Sequence, residues 1–334
     1  MDSGLILIIL VVILGLVFEY VNGFHDAANA IATVVATRVL SPAQAILMAG
    51  SLNFAGALSG VAVATTVGKG IVDSTKVTQD LVVAALVAAI AWDLITFWAA
   101  LPTSSSHALI FGVIGASVSR HGWDVVIAPG LQRTTFGIAI SPTLAFVVAY
   151  LLMLAIYWGL RRVAYPVVNR FFGRAQILSS AYMAFSHGGN DGQKTMGIIA
   201  LALFSGGYIG KEFFIPDWVK LVCAIAIGVG TTTGGWRIIR TMGTRITDLK
   251  PVNGFVAETT AGTVIELATR LGIPISTTHA ISGSILGVGA TRRLSAVRWG
   301  IAGRIVGAWV LTIPGCFAFG WAAASLLQLL GVHV

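Results

Sequence analysis

The length of the apolar runs constrains this chain more than any other feature. Residues 5 to 38 are apolar almost throughout, and further runs lie at about 42–67, 81–101, 108–118, 138–160, 177–209, 218–239, 252–273, 280–290 and 298–330. A bilayer core of about 30 Å takes about 20 apolar residues in a helix, so the longer runs read as membrane spans. Composition agrees, with 56% apolar and 10% charged residues against about 25% charged in an ordinary soluble domain. The expected fold class is an all-α polytopic membrane protein. The first run has no basic leader and no cleavage site followed by a soluble domain, so it reads as the first span and not as a removed signal.

The balance of 21 basic against 13 acidic residues gives a formal charge of +8, which in a soluble protein would point to nucleic acid. Here no nucleic-acid partner is expected, because the basic residues collect in short loops between spans: Arg161, Arg162, Arg170 and Arg174; Arg237, Arg240, Arg245 and Lys250; Arg292, Arg293, Arg298 and Arg304. Such clusters mark the cytoplasmic side. With Arg38 they put 13 basic residues inside. Lys69, Lys76, Arg120, Arg133, Lys211 and Lys220 fall outside, and both termini are then outside. Cys223 and Cys316 lie in apolar stretches, which supports packing roles and no structural metal site.

The same pattern of interruptions occurs twice. The first run is broken by polar residues around Glu19, Asn22, Gly23, His25, Asp26 and Asn29, and the run from 177 to 209 by Ser186 to Thr195. Polar tips follow, Pro102 to His107 in one half and Pro274 to His279 in the other, with Pro, Ser, His, Ala and Gly at equivalent places 172 residues apart. The expectation is two inverted repeats, residues 1–160 and 176–334, joined by a cytoplasmic linker at 161–175. Each would hold a broken helix, further spans and a re-entrant helical hairpin. Three true spans plus a hairpin per half force the second half to be inverted. Reading each hairpin as two full spans leaves the loop charges unchanged, so charge alone does not separate the two arrangements.

Irregular polar backbone survives at membrane depth only where it lines an enclosed or watery site. Each tip sets three hydroxyls at a new helix start: Ser104, Ser105 and Ser106, or Ser276, Thr277 and Thr278. Free N–H groups and the positive dipole end suit an anion there; ordinary N-capping is the plainer reading. The interruptions add Asp26 and Asp191, with Asn22, Asn29, Asn190 and Gln193 around them. An ionised Asp in a bilayer costs about 3 kcal/mol on insertion scales, so these carboxylates need either a partner or a task. They can take a coupling cation, or accept the proton of a protonated oxyanion; the second task selects phosphate over sulfate, which has no O–H to donate near neutral pH. A structural ion pair of Asp191 with Lys194 is the plainer alternative.

Four histidines pair across the halves, His107 with His279 and His25 with His187. These, with Lys194, are the candidate carriers of a coupling proton; helix-packing hydrogen bonds are the competing explanation. Asp93, Glu19, Glu258 and Glu266 are weaker candidates. Gly112, Gly115, Gly283 and Gly287 behind the tips would let the hairpins move as gates. An intramembrane hydrolase would need one Ser nucleophile with a His base, and their duplication in both halves argues against an enzyme. An anion channel would share the hydroxyls but has no use for paired buried carboxylates.

Four segments carry a specific resemblance: Val21 to Thr33 (VNGFHDAANAIAT), Phe185 to Gly197 (FSHGGNDGQKTMG), Leu101 to Ala108 (LPTSSSHA) and Pro274 to His279 (PISTTH). In this order they resemble the inorganic phosphate transporter family, in particular its bacterial low-affinity branch, over nearly the whole chain. The resemblance implies inverted repeats, cation-driven uptake of phosphate across the cytoplasmic membrane by alternating access, and a homodimer. Arsenate, with the shape and protonation of phosphate, is expected to be accepted. The resemblance assigns phosphate contact to Asp26, Asn29, Ser104, Ser105, Ser106, Asn190, Asp191, Ser276, Thr277 and Thr278. Asp26, Asn29, Asn190 and Asp191 would share the coupling cation. No cofactor is implied, only a coupling H⁺ or Na⁺. His25 stands where the widespread form of the motif has Asn, and Gln193 and Lys194 follow the second Asn-Asp. These departures suit proton coupling better than a hard-cation site built of oxygens, and members of this branch are thought to carry phosphate with protons, including as a neutral divalent-metal complex.

Overall fold

A computed structural model describes residues 3–332. Among the described residues it holds helices, short turns and one isolated bridge between Val72 and Val126. The helices are α1 (Ser3–His25), α2 (Ala27–Ala36), α3 (Pro42–Ala57), α4 (Ala62–Lys69), α5 (Gln79–Trp98), α6 (Ser105–His121), α7 (Ala128–Gly159), α8 (Tyr165–Ser205), α9 (Asp217–Thr233), α10 (Trp236–Arg240), α11 (Pro251–Arg270), α12 (Thr277–Ala290) and α13 (Trp299–Leu329). Four stretches are long and apolar enough to span a membrane by length and composition, Gly4–Ala36, Gln79–Trp98, Ala128–Gly159 and Trp299–Leu329. Two bent pairs, α3 with α4 and α9 with α10, bring the count to six. Large apolar side chains such as Leu151, Trp158, Val310 and Leu311 face outward, as a lipid-facing surface requires.

Helix starts follow local chemistry. At α3, Ser41 Oγ accepts from Gln44 N while Gln44 Oε1 accepts from Ser41 N, and Pro42 fills the first position, where it forfeits no hydrogen bond. Both hairpins turn in the same way. α5 and α11 each end in a left-handed residue, Ala100 (φ 55°) and Gly272 (φ 64°). The amides of Leu101 and Ile273 reach back to Thr96 O and Ala268 O, closing the last helical carbonyls in a Schellman cap. Each tip is then tied sideways: Ala100 O accepts from Thr241 Oγ1 at 3.1 Å, and Gly272 O from Thr66 Oγ1 at 2.7 Å. α5 packs on α6 and α11 on α12, while α6 lies on α13 and α12 on α7, and α1 lies on α9 as α8 does on α3.

Only the first of the two breaks is where the polar runs placed it. α8 continues unbroken from Tyr165 to Ser205, through Gly188, Gly189 and Gly192, and takes in residues 165–175 of the expected linker. The first run is interrupted for a single residue, Asp26, whose N–H still bonds Asn22 O. The real bends are the 68° one between α3 and α4 and the 60° one after α9. The physical reason is that the α8 glycines serve contact. A Cβ on Gly188 would stand 2.2 Å from Asn53 O of α3, so the pair closes backbone to backbone with the helix intact. The expected gate glycines behave similarly: Gly115 lies against Phe317 O of α13 and Gly283 against Pro142 O of α7.

The apolar core falls into two bodies. One takes Leu7–Phe18 of α1 and Met196–Leu203 of α8, with parts of α5, α6 and α9; the other takes Ala28–Val34 of α2 and Phe172–Ala184 of α8, with parts of α7, α11 and α12. Along both α1–α2 and α8 the polar segment lies where one body gives way to the other. A polar belt thus crosses the middle of the protein, and the hairpin tips end in it.

Candidate substrate site between the hairpin tips

The α1–α2 junction, the centre of α8 and the two tips converge there. Asp26 Oδ1 lies 2.6 Å from His25 Nδ1, and its other oxygen accepts from Thr278 Oγ1 at 3.4 Å. Asn29 Nδ2 donates to Thr277 Oγ1 at 3.2 Å and to Thr278 Oγ1 at 2.9 Å. Asp191 accepts from Lys194 Nζ at 2.5 Å and from Thr277 Oγ1 at 3.0 Å, with His187 Nε2 at 3.3 Å. Lys194 also donates to Ile275 O at 2.8 Å and to Ser106 Oγ, whose own proton goes to Ile275 O at 3.2 Å. Every one of these side chains is buried. The Asp191–Lys194 ion pair is therefore present, but it does not stand apart from the site: its ammonium bridges α8 to both tips.

The hydroxyls divide by role. Ser104 and Ser276 are N-caps, each accepting from the amide three residues on, His107 N and His279 N, at 3.2 Å. The capping explanation holds for these two. Ser106, Thr277 and Thr278 point instead into the network just described, and Ser105 Oγ is buried without a partner. Asn190 Nδ2 donates to Thr269 Oγ1 at 2.8 Å, and its oxygen is unpartnered. Glu19 Oε1, Asn22 Oδ1 and both oxygens of Asp93 are also buried acceptors without donors. A buried polar atom without a partner is rare and asks for an explanation such as a missing ligand.

The histidines separate into two kinds. His25 and His187 touch the carboxylates, whereas His107 and His279 sit ring against ring at 4.6 Å, His279 stacked on Trp309 at 3.8 Å, with no hydrogen-bond partner for either ring. His187 Nδ1 is 3.0 Å from Asn53 Oδ1, and Asn53 Nδ2 donates to Thr231 Oγ1, whose own proton is given to Ile227 O. That chain fixes the Asn53 oxygen toward His187. His187 therefore lies between the Asn53 oxygen and an Asp191 oxygen. One ligand atom each of Asp26, His187 and Asp191 falls within 4.8 Å of the others, a spacing that suits a cation.

Motif reading missed several contributors. Thr195, at the end of the second polar interruption, donates to Glu19, and Thr269 and Asn53 hold Asn190 and His187; Thr269 and Asn53 lie on helix faces with no motif to mark them. Glu258 is not part of the site. Thr33, Gln176 and Ser179 all donate to it, and its oxygens are met locally.

Beside the site a cavity of about 390 Å³ opens between the α3–α4 bend and the end of α11, with Ser59, Gly60, Ala62, Gln193, Thr269 and Arg270 among its lining residues. At the corresponding place on the first hairpin stands Trp98. There the Arg237 guanidinium covers the indole at 4.5 Å and donates to Trp98 O at 3.1 Å.

A helical membrane protein with an enclosed site of opposed hydroxyl tips, paired carboxylates and a buried ammonium is built to carry a small ion across the bilayer. A family model described as the phosphate transporter family matches residues 22–320, and the chain belongs to that family. A probable low-affinity inorganic phosphate transporter of Rhizobium meliloti (strain 1021) is 49% identical over 94% of this chain and 95% of its own length. One of Bacillus subtilis (strain 168) is 43% identical over 99% of this chain and its whole length. A solved structure described as the sodium-dependent phosphate transporter superposes with a TM-score of 0.89 at 28% identity, covering 97% of this chain and 99% of its own. The relatives are transporters, not enzymes.

Proposed function

We propose that this protein imports inorganic phosphate across the cytoplasmic membrane by proton symport, alternating between two inverted repeats, 1–160 and 176–334, linked through 161–175, with the termini outside. The observation that carries this reading is the meeting of both hairpin tips with Asp26, Asp191 and Lys194 in one buried network. Phosphate oxygens would take the Ser105, Ser106, Thr277 and Thr278 hydroxyls and the ammonium, with Asn29 and Asn190 beside them and Ser104 and Ser276 holding the helix starts. An O–H of phosphate would be given to a carboxylate, which sulfate cannot do; arsenate can. The coupling proton would pass by way of His187, which lies between Asn53 and Asp191. The open cavity beside the second tip and the Arg237–Trp98 cover beside the first are the unequal mouths that alternating access requires.

A second reading, sodium coupling, is favoured by the unpartnered oxygens of Glu19, Asn22, Asp93 and Asn190, hard ligands of the kind sodium takes, and by the likeness to the sodium-dependent phosphate transporter. Labelled phosphate in proteoliposomes, with and without Mg²⁺, tests transport itself. Accumulation above the external concentration supports a symporter, and equilibration without accumulation would mean a channel.

A further inference from the structure

Arg270 is the last residue of α11, one loop short of the hydroxyls that bond Asp26 and Asp191. Its side chain is nevertheless 76% exposed. A guanidinium level with a buried hairpin tip has no place in hydrocarbon, so the space it faces holds water. That space is the 390 Å³ cavity, large enough for a hydrated oxyanion.

Its walls suit an anion. Arg270 Nε donates to Glu266 at 2.8 Å, which fixes the fork and leaves both terminal nitrogens without an acceptor among the described residues. Glu266 also lines the cavity, but at 17% exposure against 76% for Arg270 it shows the cavity less of its charge than the guanidinium does. Gln193 Oε1 accepts from Val63 N at 2.9 Å, which turns its amide nitrogen toward Gly60, 3.5 Å from where a Cβ would lie. At the inner wall Thr269 accepts from Asn190 at 2.8 Å, and this pair forms the partition between the cavity and the central site.

We propose that this cavity is a second, outer phosphate site, where Arg270 and the Gln193 amide capture the oxyanion before it passes the Asn190–Thr269 partition. The proposal rests on the phosphate reading above and adds to it a place and a residue. A phospholipid headgroup offers the same phosphate chemistry, so the test separates the two. Arg270→Gln is expected to raise KM for inorganic phosphate by about tenfold at an unchanged maximal rate, with Arg270→Lys restoring most of the loss. Charge is then varied after folding: Ala62 is exposed on the cavity wall, and the native Cys223 and Cys316 are buried. Ala62→Cys carrying a trimethylammonium adduct should lower KM, and the same protein carrying a sulfonate adduct should raise it. Binding of inorganic phosphate in phospholipid-free maltoside micelles should follow the same order. KM values indifferent to Arg270 and to both adducts, in a protein that still takes up phosphate, overturn the outer site alone. An effect confined to phospholipid vesicles overturns it in favour of a lipid headgroup. No uptake by the unaltered protein overturns the phosphate reading and the outer site with it.

Discussion

Lys194 holds its ammonium 2.5 Å from an Asp191 oxygen while also donating to Ile275 O of the second tip and Ser106 Oγ of the first. The Lys194 side chain thus occupies the place where a mobile cation would otherwise meet the α8 carboxylate. Lys194→Gln, which replaces the ammonium by an amide oxygen, is expected to cut proton-driven phosphate uptake by about tenfold or more, because a buried carboxylate loses its partner. The same variant should gain stimulation by sodium, since an oxygen ligand suits that ion. Uptake rates under each gradient check both effects.

His187 supplies a more specific test of coupling. His187→Gln keeps a donor near Asn53 or Asp191 but carries no proton. Phosphate exchange at equal concentrations should persist in this variant, while accumulation driven by a proton gradient falls to the level seen without one. Exchange and accumulation measured on the same vesicles distinguish a lost proton from a lost site.

The tip hydroxyls should separate by role. Ser104→Ala removes the cap of α6 and is expected to cost about 1 kcal/mol of stability, read as a lower unfolding temperature. Ser105→Ala removes a hydroxyl with no internal partner. Stability should hold, and KM for phosphate should rise by about tenfold as one charge-assisted bond is lost.

Ala100 sits in the left-handed region where its counterpart is Gly272. A non-glycine residue there costs about 1 to 2 kcal/mol, so Ala100→Gly should stabilise the protein by about 1 kcal/mol and Gly272→Ala should destabilise it by a similar amount. Thermal unfolding in detergent reads both.

The tips were legible because Pro, hydroxyls and His recur at one spacing, and that regularity extends to cap geometry no motif encodes: residues 100 and 272 share the left-handed turn. Asp26, Asn29 and Asp191 were legible as buried polar groups in apolar runs. The continuity of α8 was not. Glycine beside polar residues reads the same whether it unwinds a helix or lets two backbones touch, and only the position of α3 against Gly188 decides for contact. Arg270 was equally hidden, since its exposure depends on the α3–α4 bend far away in sequence.

Phosphate uptake into proteoliposomes under separately imposed proton and sodium gradients tests the central claim most directly, with Asp26→Asn measured in parallel. The account predicts accumulation under the proton gradient alone and its loss in Asp26→Asn. A strict sodium requirement, or Asp26→Asn transporting with normal rate and coupling, would contradict it.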